Sequence, residues 1–170
     1  MQTIIHTINS LNRRIGVIAS WFSGLLVIVV LYDILMRYFF KQSTPWIMEL
    51  EWHLFSILFL FGAAYTFQMD RHVRVDLFYS QMSKREKART NIIGNLLFLL
   101  PWSIFIVIYA FDYAWASYQI GEGSPDPGGL PYRFIIKFCI VIGFVLLGLQ
   151  AVSNCLESWQ ILSTSKEEEE

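Results

Sequence analysis

The sequence predicts an all-α integral membrane protein with four transmembrane helices, and three observations carry that prediction. Of its 170 residues 55% are hydrophobic and only 16% are charged, against about 25% charged in an average soluble domain. The mean hydropathy is +0.45, so a soluble domain of this size would wet too much apolar surface. Four stretches lack Asp, Glu, Lys and Arg for 18, 18, 22 and 19 residues, namely 15–32, 52–69, 90–111 and 138–156. A spanning helix needs roughly 20 mostly apolar residues, because the hydrocarbon core is about 30 Å thick and a helix rises about 1.5 Å per residue. The runs are continuously apolar and do not alternate, which argues against barrel strands. A net charge of −1 provides no basic field for nucleic acid.

The elements follow in order along one domain, 1–162, with spans over about 15–37, 46–69, 90–113 and 133–156. Before span one, Ile4, Ile8, Leu11 and Ile15 recur at helical spacing with polar residues between them. This suits an amphipathic helix in the inner interface, or equally a plain extension of the span. Arg13 and Arg14 then anchor the span by the positive-inside rule. Thr44 is placed to cap a helix whose first residue is Pro45, so span two starts there and carries Glu49, Glu51 and His53 at its outer end. The inner loop, 70–89, is basic with scattered apolar residues, a second place for a segment lying on anionic headgroups. Ser83 and Glu86 have the spacing of a capping box opening span three. Pro101 lies mid-span, where it removes a donor and crowds the Leu97 carbonyl, so a kink is expected. The outer loop Gly121 to Pro131 is too rich in Gly and Pro for a helix. Gly62-Ala63-Ala64, Gly143 and Gly148 allow close helix approach. Residues 163–170 read as a disordered acidic tail.

Orientation follows from the cations. With the N-terminus inside, nine Lys and Arg residues fall in inner segments and four in outer ones, which favours both termini in the cytoplasm. Cys139 and Cys155 share one helix, about 24 Å apart, too far to bridge.

Charges near a membrane are functional candidates because they are costly there. Asp33 and Arg37 stand four apart at the end of span one and can pair. Glu49 and His53 are also four apart. Asp112 and Lys137 lie at similar depth and are placed to pair across helices. No carboxylate or lysine falls deep enough to carry an ion, which argues against a complete transporter in this chain alone. A haem-binding bundle needs two facing histidines. His53 and His72 are 19 residues apart, about 28 Å along a helix, and cannot share one haem. No metal cluster, phosphate loop or nucleophile–base arrangement stands out, so neither an enzyme nor a cofactor is expected.

The chain resembles the small membrane subunit, or Q subunit, of tripartite ATP-independent periplasmic (TRAP) transporters. The residues carrying the resemblance are Trp46-Ile47-Met48-Glu49 entering span two, Phe61-Gly62-Ala63-Ala64 within it, His72-Val73-Arg74-Val75-Asp76 after it, and the loop from Gly123-Ser124-Pro125 to Leu130-Pro131. The resemblance implies a large membrane M subunit that carries the substrate and sodium sites and moves as an elevator. It also implies a soluble periplasmic P subunit that delivers an organic acid, with sialic acid the pattern nearest and C4-dicarboxylates open. The Q subunit would anchor the static part of M. Carried onto this chain, His72, Arg74 and Asp76 fix the exit of span two, and Glu49 pairs with a cation here or in M. Lys41, Ser124 and Asp126 in the outer loops face P. The rivals are an unrelated four-helix homo-oligomeric transporter, which lacks the deep ion-binding residue it would need, and a redox-enzyme anchor subunit, which the histidine positions disfavour.

Overall fold

A computed structural model describes residues 1–70 and 79–167. It contains four long helices: α1 (Gln2–Phe39), α2 (Pro45–Gln68), α3 (Lys84–Gln119) and α4 (Phe134–Glu167). All four include stretches long and apolar enough to cross a membrane, and the described residues contain no strand. The chain is a multi-pass membrane protein.

At 38 residues α1 is about 57 Å long, nearly twice the hydrocarbon thickness. The polar residues Asn9 to Arg14 continue the helix without a break. The N-terminal segment is therefore an extension of span one, not a separate in-plane helix. Of the inner-loop alternative, residues 71–78 lie outside the described residues. Pro45 takes the first turn of α2, and Thr44 precedes it in an extended conformation. The Thr44 hydroxyl makes no capping bond, so the proline's fixed φ, more than the cap, starts this helix. At the start of α3 the capping box is complete: Ser83 Oγ accepts from the Glu86 amide, and Glu86 Oε2 accepts from the Ser83 amide.

Pro101 leaves its mark one turn earlier than itself. Residues Asn95–Leu99 form a π-turn within α3, and the Leu100 amide reaches back to the Asn95 carbonyl. One added residue in the turn gives the proline ring room where an α-helical carbonyl would collide with it. The fourth helix outlasts its expected span and continues to Glu167, into the segment 163–170 where a disordered tail was expected. The sequence after Gly148 contains no Gly or Pro to stop it. Cys139 and Cys155 are free thiols, as their separation requires.

Packing is organised around α4, which contacts the other three helices, while α1 also packs on α2. Helices in lipid gain nothing from hydrophobic transfer between themselves, so close van der Waals contact must hold them. Small residues supply it. Ala19, Ala64, Ala114 and Ala151 are at most 1% exposed. A Cβ on Gly143 would lie 2.9 Å from Leu60 Cβ, and one on Gly16 only 2.4 Å from Tyr65 Cβ. These two glycines set the α2–α4 and α1–α2 approaches. The large side chains point outward, Trp21, Phe39 and Phe98 among them, each more than 70% exposed. This is the inverse of a soluble bundle, as a lipid-facing surface demands.

Candidate functional site

Polar side chains gather at both ends of the bundle. At one end the hub is Glu49, on the second turn of α2 and 5% exposed. Its carboxylate accepts from Ser124 Oγ at 2.5 Å, from the Leu130 amide at 2.5 Å and from the Arg133 guanidinium at 3.3 Å. A buried carboxylate is tolerated only when paired and hydrogen-bonded, and three donors from one loop provide that. The loop is built to reach it. Ser124 N–H donates to the Leu130 carbonyl, the Gly129 amide to Asp126, and the Asp126 amide to Ser124 Oγ. Any Cβ on Gly129 would fall 2.3 Å from Ser124 Oγ and 2.8 Å from Glu49 Oε2, so only glycine fits between loop and carboxylate.

The remaining candidates at this end divide into two pairs and an exposed rim. Asp33 and Arg37 form their expected ion pair, with Asp33 buried and Arg37 half exposed. Asp33 Oδ1 has no partner, and neither has Glu51 Oε1 on α2. Lys137 does not pair with Asp112, which is exposed. It meets Glu122 instead, and its ammonium lies 3.8 Å from the Tyr113 ring centroid. The reason is the loop: the Arg133 amide donates to the Glu122 carbonyl, bringing Glu122 back over the start of α4. The Lys137 ammonium in turn holds the Glu122 carboxyl below its ordinary value. His53 Nδ1 meets the Glu49 backbone carbonyl, not its carboxylate. Lys41 and Asp126 are exposed, whereas Ser124 is half-buried and turned inward on Glu49. His72, Arg74 and Asp76 lie outside the described residues.

The other end holds a network that the sequence reading missed. Asn12 Nδ2 donates to Gln150 Oε1 at 2.7 Å, and Gln150 Nε2 to Asn9 Oδ1 at 3.0 Å. Ser153 Oγ also donates to Asn9 Oδ1, and Asn9 Nδ2 to Glu157 Oε1 at 2.8 Å. Asn12, Gln150 and Ser153 are at most 2% exposed. The spacing 9, 12 on α1 against 150, 153, 157 on α4 was visible as two polar helical stripes. The stripe on α1 fits an interfacial helix and an extension of span one equally, because nothing local shows that another helix covers it. A second amide pair, Asn95 to Asn154 at 2.8 Å, ties the π-turn to α4. Among the described residues no three His, Cys, Asp or Glu side chains converge on a point.

Residues 26–161 match the family described as tripartite ATP-independent periplasmic transporters, DctQ component. The chain belongs to that family. It is also 21% identical over 159 residues to a Haemophilus influenzae protein named "Putative TRAP transporter small permease protein", covering 93% of each chain. In this DctQ component the matched segment includes the whole Glu49 hub and the α4 half of the amide network. The α1 half, Asn9 and Asn12, precedes it. The protein is thus a small TRAP transporter component whose ends are tied internally by two polar clusters.

Proposed function

We propose that this DctQ component is the scaffold of its transporter. It binds the large membrane subunit in the bacterial inner membrane, with both termini in the cytoplasm. The complex takes up an organic acid, of the sialic-acid or C4-dicarboxylate class, coupled to sodium and delivered by a periplasmic binding protein. Family membership over residues 26–161 carries this reading. Two features support it. The side chains buried along the helices away from the Glu49 end, Asn12, Asn95, Ser103, Gln150 and Ser153, are neutral, and those that form amide networks bind one another. The aromatic faces of α1 and α3 are exposed, offering surface to lipid and partner helices.

In this reading the substrate and sodium sites belong to the large subunit. Asp33, Arg37, Glu49, Asp112 and Lys137 shape the periplasmic end. His72, Arg74 and Asp76 secure the exit from α2. Lys41 and Asp126 lie on the rim offered to the binding protein, and Ser124 holds that rim in place.

The test is reconstitution of the large subunit in proteoliposomes with and without this chain, with the binding protein outside. Co-purification of the two membrane subunits, and sodium-dependent uptake of sialic acid or a C4-dicarboxylate only when both are present, is expected. Full uptake without this chain, or uptake by this chain alone, overturns the scaffold role. Labelling of Lys41→Cys by an impermeant maleimide from the periplasm checks orientation, and labelling solely from the cytoplasm reverses it.

A further inference from the structure

The helices α2 and α3 both pack on α4 and leave a gap between them. At the Glu49 end this gap is a cleft of about 420 Å³. Trp52, Phe55 and Phe59 line it from α2, Tyr113 from α3, and Ile136 and Ile140 from α4. Two cations, Arg133 and Lys137, also line it. The cleft runs from residue 52 to 60 along α2 and from 133 to 140 along α4, roughly 10 Å of helix. Both cations stand at the loop end of that length, and the other end is apolar. Phe55 and Phe59 are 57% and 66% exposed, so the cleft is open along the side of the bundle.

The cations are not saturated by their internal partners. Arg133 shares Glu49 with two shorter donors, and its side chain remains 26% exposed. A guanidinium carries five N–H donors in a fork that fits phosphate oxygens. The Trp52 ring, 5.9 Å from the guanidinium carbon, holds the fork against the cleft. Lys137 spends one contact on Glu122 and rests on Tyr113, which leaves a further N–H donor.

We propose that the cleft holds one phospholipid, its phosphate accepting from Arg133 and Lys137 and an acyl chain lying along Phe55, Phe59 and Ile140. Charge selects this occupant over an apolar helix: an aliphatic side chain would fill the lower cleft and offer no acceptor to the cations that line it, Arg133 with its side chain 26% exposed and Lys137.

The test is native mass spectrometry of the full chain in detergent, titrated with phosphatidylglycerol. The wild type should retain one lipid per chain. Ser56 lines the cleft, and Ser56→Trp fills it without altering charge. Arg133→Gln removes the fork and keeps the cleft. Each variant should weaken retention at least tenfold, whereas Ile28→Trp, on an exposed face of α1, should leave it unchanged. Wild-type retention by either cleft variant overturns the proposal. So does a Ser56→Cys thiol that cross-links to the large subunit in the assembled complex, since a protein side chain would then occupy the cleft.

Discussion

Replacing Glu49 tests the logic of the loop end most directly. In Glu49→Ala the Leu130 amide, the Ser124 hydroxyl and the Arg133 guanidinium lose one common acceptor. Removing one partner of a buried ion pair costs about 3–5 kcal/mol, because the other charge is left uncompensated. The Arg133 side chain is 26% exposed, and water can reach part of it, so the lower end of that range applies. Glu49→Gln keeps the volume and one carbonyl oxygen. Its amide nitrogen, however, must face a donor, and the charge attraction is gone. The expected loss is about 2 kcal/mol, or a roughly 30-fold shift in the opening equilibrium of the loop. Unfolding in bicelles measures the global loss. Hydrogen exchange at the Leu130 amide measures the local one, and both should order wild type, Gln, Ala. A double-mutant cycle with Arg133→Gln should return a coupling energy, because the residues are in contact. If both Glu49 variants stay within about 0.5 kcal/mol of wild type and Leu130 keeps its protection, the carboxylate does not hold the loop. If the Gln variant also assembles and transports normally, Glu49 has no part in the complex.

Other substitutions probe the rest of the bundle. Gly16→Ala should separate α1 from α2 and cost about 2 kcal/mol or more by overpacking, since the new Cβ would lie 2.4 Å from Tyr65 Cβ; Gly24→Ala on the same helix, with nothing within 4 Å, is the neutral control in the same unfolding assay. Asn12→Leu leaves the Gln150 carbonyl without its donor and should destabilise by about 1–3 kcal/mol, whereas Asn12→Asp should fare worse, because a charge is then buried; thermal unfolding of both variants ranks them. Lys137 lowers the Glu122 carboxyl from its ordinary value of 4.5, so the folded state binds this proton less readily than the unfolded one. The contribution of the pair is then complete above pH 4.5 and lost as pH falls through the lower folded value. A Glu122→Gln variant should melt below wild type at neutral pH and converge with it in acid; a constant difference across that range refutes the assignment.

The four spans were legible because lipid imposes its requirement residue by residue. About 20 apolar positions must follow one another, and charge-free runs can be counted in a sequence. Ser83 with Glu86, Pro45 after Thr44, and Asp33 with Arg37 were legible for a similar reason: each is a contact between residues at most four apart. Lys137 shows where that legibility ends. Asp112 was the partner that depth along the spans suggested, but the return of the loop brought Glu122 to Lys137 instead, and depth alone does not order partners. Asn9 and Asn12 show the same limit on a helix face. A polar stripe looks alike whether water, headgroups or another helix will cover it, and only the position of α4 decides. Gly16 carries no signal in its own sequence neighbourhood, because the atom it must avoid belongs to Tyr65 on the next helix. The sequence by itself determined that this chain lives in a membrane, how many times it crosses and where the second, third and fourth helices begin. Tertiary structure alone decided which buried polar groups meet, that the Gly-Pro loop closes on Glu49, and that α2 and α3 leave a cationic cleft above α4. Contacts across 15 to about 150 positions depend on how loops and whole helices are placed, and no local pattern encodes that placement.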